Sequence, residues 1–116
     1  MARVQLTDGS GKWFNEDSAI HFKEGTRWDG RNHVGLITKD QFHHQELYYT
    51  KSGNWVLHEW SNWQGSAPEY TLIELDAAAH WLMTSEYFDG NQYDNIDALP
   101  KAVLEEILNR VQTSEV

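Results

Sequence analysis

Between two runs of β-prone residues, 45–50 and 55–60, the chain carries Lys51-Ser52-Gly53-Asn54, and this short interruption constrains the fold more than any other stretch. The flanking runs are rich in Leu, Tyr, Val and Trp, which suit a pleated surface, and the four residues between them are turn formers. A type I turn over Lys51 and Ser52 leaves Gly53 as the left-handed bulge residue, a role that glycine fills without a Cβ clash. Thr50 then pairs with Asn54, Tyr49 with Trp55, Leu47 with Leu57 and Glu46 with His58. A two-residue loop would instead set Tyr49 against Val56 and Leu47 against His58, mixing apolar and polar side chains on both faces. Such a slip is penalised wherever one face is buried. The bulged register is therefore expected, with Leu47, Tyr49, Trp55 and Leu57 facing the core and Glu46, Tyr48, Val56 and His58 the less buried side.

The 116 residues suit one domain, 1–116, long enough to bury roughly 65% of the unfolded surface. There is no cysteine, so neither disulfides nor thiolate chemistry enters, which fits a reducing compartment. The opening MARVQLTDGS lacks the apolar segment of a secretory leader, and no apolar run approaches the ~20 residues that span a bilayer. A cytoplasmic protein with no membrane contact is expected. The net charge of −9 lies wholly in the second half. Residues 1–58 balance seven cations against seven acids, whereas residues 59–116 hold Lys101 and Arg110 against eleven acids. Docking on a nucleic-acid backbone needs clustered cations and is not expected; a basic protein partner fits the charge better, while the plainer and favoured reading is that the acidic surface keeps a small protein soluble.

Residues 1–42 read as short strands punctuated by glycine: 3–7, a strand at 12–14, 19–24 with Ile20 and Phe22 on one face, a turn at 28–32 and a strand at 33–38. After the hairpin come a loop at 61–69 and a last strand at 70–74. Helical character then takes over. Residues 75–87 place Leu75, Ala78, Ala79 and Leu82 on one stripe, with Glu74 or Asp76 as the start signal. A second helix starts near Asp97, with Pro100 in its first turn, and runs to about Gln112; Leu99, Val103, Leu104, Ile107, Leu108 and Val111 form its apolar face. Strands first and helices last predict an α+β fold, an antiparallel sheet of about five to seven short strands with two C-terminal helices on one face.

Motifs for chemistry are sparse. Gly9-Ser10-Gly11-Lys12 fails as a phosphate loop, since Leu6 and Trp13 stand where a glycine and a Ser or Thr are required. The segment DGNQYD at 89–94 lacks the ligand periodicity of a calcium loop and reads as an ordinary connection. No serine sits in a nucleophile elbow, and no cofactor motif is present. His44, Glu46 and His58 share one face of the hairpin and are the candidate metal ligands, although their spacing matches no known zinc motif; a plain Glu–His pair is the favoured reading. Trp60 and Trp63, followed by Gln64, supply either loop anchors or a flat platform for a sugar, a base or a peptide.

The run LYYTKSGNWVLHEWSNWQGS, with Tyr70, Ile73 and the AAHWL segment of residues 78–82, resembles a family of small bacterial proteins, some of them described as toxin–antitoxin components. Trp55, Trp60, Trp63 and Gly65 are its most distinctive members. The resemblance spans residues 47–82, implies a bacterial cytoplasmic setting and carries no catalytic residues with it.

Three functions follow as expectations. The first is a non-enzymatic binding or regulatory protein, meeting a protein partner through Trp60, Trp63 and Gln64 or through the acidic helix at Glu105 and Glu106. A terminal amphipathic helix packs on the sheet or meets a partner or a second copy in a homodimer; packing is expected. The alternatives are a small hydrolase or nuclease-type toxin, in which His44, Glu46 and His58, or His21 and His33, converge, and an acidic mimic of nucleic acid that blocks a DNA-binding enzyme.

Overall fold

The computed structural model describes residues 2–63, 65–90, 93 and 95–116. Among these, eight strands precede and two helices follow, in an α+β arrangement. At its centre is a four-stranded antiparallel sheet in the order β3 (Ile20–Lys23), β6 (His43–Tyr49), β7 (Trp55–Ser61) and β8 (Glu69–Ile73). Two small antiparallel pairs flank it, β1 (Arg3–Gln5) with β2 (Trp13–Asn15), and β4 (Thr26–Trp28) with β5 (His33–Gly35).

The β6–β7 hairpin has the bulged register, with Tyr49 opposite Trp55, Leu47 opposite Leu57 and Glu46 opposite His58. Its turn is closed by Thr50 N–H donating to the Asn54 carbonyl at 2.8 Å and by Gly53 N–H donating to the Thr50 carbonyl at 2.9 Å. Gly53 has φ +86°, the left-handed conformation that only glycine adopts without steric cost. The Thr50 hydroxyl accepts from Asn54 N–H at 3.1 Å and braces the bulge.

One face of this sheet meets the helices, α1 (Leu75–Thr84) and α2 (Lys101–Thr113). Phe22, Leu47 and Trp55 pack there against Ala78, Ala79, Trp81, Leu82 and Ile107. The small Ala78 and Ala79 let the α1 backbone approach the strands, while Trp81 spends its indole N–H on Gln45 Oε1 at 3.0 Å. Arg110 reaches across to Asp76 at 2.9 Å and ties α2 to α1. Asp76 thus serves a helix–helix contact, and neither it nor Glu74 makes the expected side-chain cap: Glu74 accepts from Ala78 N–H at 3.0 Å through its carbonyl, and its carboxylate caps nothing.

Three expectations are corrected here. The opposite face of the hairpin is not its less buried side. Tyr48 and Val56 are as buried as Leu47 and Trp55, because Leu6 and Phe14 of the β1–β2 layer close over them. The last helix starts after Pro100 rather than near Asp97, and residues 96–98 form a separate 3-10 turn. Proline disfavours helical backbone in the residue before it, and Leu99 is accordingly extended, with φ −68° and ψ 147°. The strand expected at 33–38 stops at Gly35, and its missed partner is β4.

The reason for that early stop is Glu24, a buried acid at the end of β3. Its Oε2 accepts from Ile37 N–H (2.9 Å), Thr38 N–H (2.8 Å) and the Thr38 hydroxyl (3.1 Å), and its Oε1 from Gln45 N–H (3.1 Å). Backbone donors that a strand would have paired are satisfied by one carboxylate instead. A Cβ on Gly35 would collide with that carboxylate, so any other residue there must displace it.

Candidate functional site

Side chains alternate across a pleated sheet, so register alone assembles the face turned away from the helices. One row runs His21, Tyr48, Val56, Leu72, and the next runs Lys23, Glu46, His58, Tyr70. Beyond them His44 stands opposite Trp60.

Glu46 is the centre of this face. Its Oε2 lies 3.2 Å from His58 Nδ1, directly across the ladder, and its Oε1 lies 3.1 Å from His21 Nε2, diagonally across β3. The His21 contact is off the direction of a well-formed hydrogen bond and is therefore mainly electrostatic. Lys23, the direct β3 neighbour, carries its ammonium over the Tyr93 ring at 5.5 Å. The Tyr48 hydroxyl shares its proton between Glu16 Oε1 at 3.2 Å and Glu46 Oε2 at 3.4 Å. Burial on its own would raise the Glu46 pKa, but the two imidazoles outweigh it and hold the carboxyl at about 2. Tyr48 moves the other way, its phenol pushed above the ordinary range first by burial and then by the charges of Glu46 and Glu16. Tyr70 is raised for the same reasons.

The rings beside Glu46 are stacked. His58 lies flat between Tyr70, at 4.1 Å and 6°, and Trp60, at 4.4 Å and 24°, while His21 lies on Tyr48 at 4.7 Å and 8°. His44 packs on Trp60 at 5.3 Å, and its Nε2 meets Asn62 Nδ2 at 3.0 Å. Of the proposed set His44, Glu46 and His58, the fold therefore brings the last two together and sends His44 to Asn62. His21 takes the place beside Glu46, and His33 lies instead against Trp28, with ring centroids 5.2 Å apart. Among the described residues, no group of three His, Cys, Asp or Glu is arranged to hold a metal ion.

Trp60 and Trp63 do separate things. Trp60 is half-buried in the histidine stack, whereas Trp63 is 59% exposed and tilts against Phe42, itself 39% exposed, at a centroid distance of 5.0 Å. The backbone beneath the pair is braced, since Asn62 N–H donates to the Phe42 carbonyl at 2.8 Å and the Ser61 hydroxyl accepts from Trp63 N–H at 3.1 Å. Gln64 lies outside the described residues, as do Asn91, Gln92 and Asp94 of the 89–94 loop. Glu105 and Glu106 are exposed on α2. No helix among the described residues is long and apolar enough to cross a membrane.

The chain matches no family model, no curated protein and no solved structure.

Two features of this face escape a reading of the sequence. His21 becomes a partner of Glu46 only through the β3–β6 pairing, and Phe42 becomes a partner of Trp63 only because both ends of the hairpin close together. The alternation of Ile20, His21, Phe22 and Lys23 does place His21 off the core, and that was the available signal.

Proposed function

We propose that this chain is a non-enzymatic binding protein that meets a protein partner through the exposed Phe42–Trp63 pair. The observation that carries the reading is two large rings, braced by backbone hydrogen bonds and open to water at the end of the longest hairpin. Aromatic side chains presented in this way lose little conformational freedom on binding and are the usual energetic anchors of an interface. The resemblance of residues 47–82 to small bacterial proteins, together with the lack of cysteine, supports a bacterial cytoplasmic setting and a toxin–antitoxin partner as the first to try.

The hydrolase reading has one observation in its favour, the convergence of His21, Glu46, His58 and Tyr48. The chemistry of the cluster weighs against it. A carboxyl held at about 2 is a weak base at neutral pH, and both of its oxygens are already engaged. The cluster is better suited to holding the sheet face in place than to moving protons.

The test is a pull-down from bacterial lysate with the intact chain and with a Phe42→Ser/Trp63→Ser double variant as baits, followed by calorimetry with any purified partner. A partner retained by the intact chain and lost by the variant supports the proposal. Equal retention by both would remove the aromatic pair from the interface.

A further inference from the structure

The β1–β2 layer is three residues long on each strand and covers only part of the sheet face beneath it. Where it stops, a groove of about 400 Å³ opens between β2, the β6–β7 turn and β8. Its floor is buried Phe14 and Val56, and its walls are Trp13, 52% exposed, and Leu72, 39% exposed. That volume lies within the range of small-ligand sites and is too small for a docked helix.

The charge of the groove is opposite to that of the protein. Lys12 stands on one side and Lys51 on the other, and no carboxylate among the described residues lines it. Arg3 adds a third cation, its guanidinium 4.6 Å from the centre of the Trp13 ring. Asp8, which precedes Lys12 on the same turn, has its carboxylate engaged by Ser10 N–H at 2.9 Å. Two lysines therefore line a half-open aromatic slot, and a third cation lies against its Trp13 wall, in a chain whose net charge is −9. Low-dielectric walls of this kind focus the field of the charges that line them.

We infer that this groove binds a small organic anion with a flat aromatic body, the ring against Trp13 and Leu72 and the acidic group between Lys12 and Lys51. The chemistry fits an aryl carboxylate or an aryl-bearing phosphate such as a nucleotide. It is separate from the protein-contact surface at Phe42 and Trp63, because none of the groove-lining residues belongs to that pair.

Anilinonaphthalene sulfonate and its uncharged parent, phenylnaphthylamine, carry the same body with and without the anion. Titrated by fluorescence into the intact chain, the sulfonate is expected to saturate at one site and to bind about tenfold more tightly than the neutral dye. Lys12→Glu/Lys51→Glu should weaken the sulfonate by about tenfold and leave the neutral dye unchanged, since both lysines are exposed and only their charge is altered. Trp13→Ala should weaken both dyes, and Phe42→Ser/Trp63→Ser neither. Near-UV circular dichroism confirms that each variant keeps its packing. Displacement of the sulfonate by indole acetate points to a carboxylate as the natural anion, and displacement by adenosine monophosphate to a phosphate. Equal affinity for the two dyes, indifference to the double lysine reversal, or displacement by neither competitor would overturn the assignment.

Discussion

Glu46 is the residue that the fold changes most in its chemistry. In the unfolded chain it titrates as an ordinary carboxyl near 4.5, and in the fold burial raises it while His21 and His58 together bring it down to about 2. A depressed folded pKa stabilises the protein above the unfolded value, by on the order of 3 kcal/mol, and that stabilisation is lost as pH falls from 4.5 towards 2. Urea unfolding followed across that window should show the intact chain losing stability more steeply than Glu46→Gln, which cannot titrate. Parallel curves would mean that the carboxylate contributes nothing to the fold. Gly35 makes the second residue-scale prediction. Its alanine variant must displace Glu24 from four hydrogen bonds at once, and a loss of roughly 2–4 kcal/mol in chemical denaturation is expected. A loss under about 0.5 kcal/mol would show that the carboxylate moves aside freely. Neither role is visible in the sequence, where Glu24 looks like an ordinary surface acid at a strand end.

Among the elements, the register of the β6–β7 hairpin was legible, because turn chemistry and side-chain alternation are local, but the burial of its Tyr48–Val56 face was not. The α2 helix was legible in part. Its apolar positions were identified, but they are unequally covered: Ile107 is fully buried while its neighbour Leu108 is 39% exposed. Neighbouring helical positions point about 100° apart, so the apolar stripe is wider than the contact it makes. Ile107→Ala should therefore cost roughly 2–5 kcal/mol, as a large-to-small change in a closed core. Leu108→Ala should cost less than about 1 kcal/mol in the same denaturant experiment. Similar losses at both positions would mean that Leu108 is covered in solution, as a homodimer through α2 would require.

For the whole molecule, the separation of charge matters more than its total. The acidic residues of the second half include Glu105 and Glu106, exposed on α2, and both lysines of the groove belong to the first half. If the protein partner is basic and also meets α2, its affinity should fall as salt rises, because exposed charges are screened beyond ~8 Å at physiological ionic strength. Glu105→Lys/Glu106→Lys should then weaken the partner without lowering Tm. Affinity that is indifferent both to salt and to this reversal would leave the Phe42–Trp63 pair as the whole interface and the acidity as a contribution to solubility.

By itself the sequence determined the α+β class, the hairpin register, the buried stripe of α1 and the Glu46–His58 pair, since each rests on spacing within one or two adjoining elements. Only the tertiary structure decided which residues from distant segments meet. It buried Tyr48 and Val56 under Leu6 and Phe14, set His21 rather than His44 beside Glu46, paired Phe42 with Trp63, and left a cationic groove where the β1–β2 layer ends. The physical reason is that a sheet has two faces and two edges. Alternation within a strand says which side chains share a face, but what covers that face depends on free-energy gains summed over the folded molecule, which no local pattern encodes.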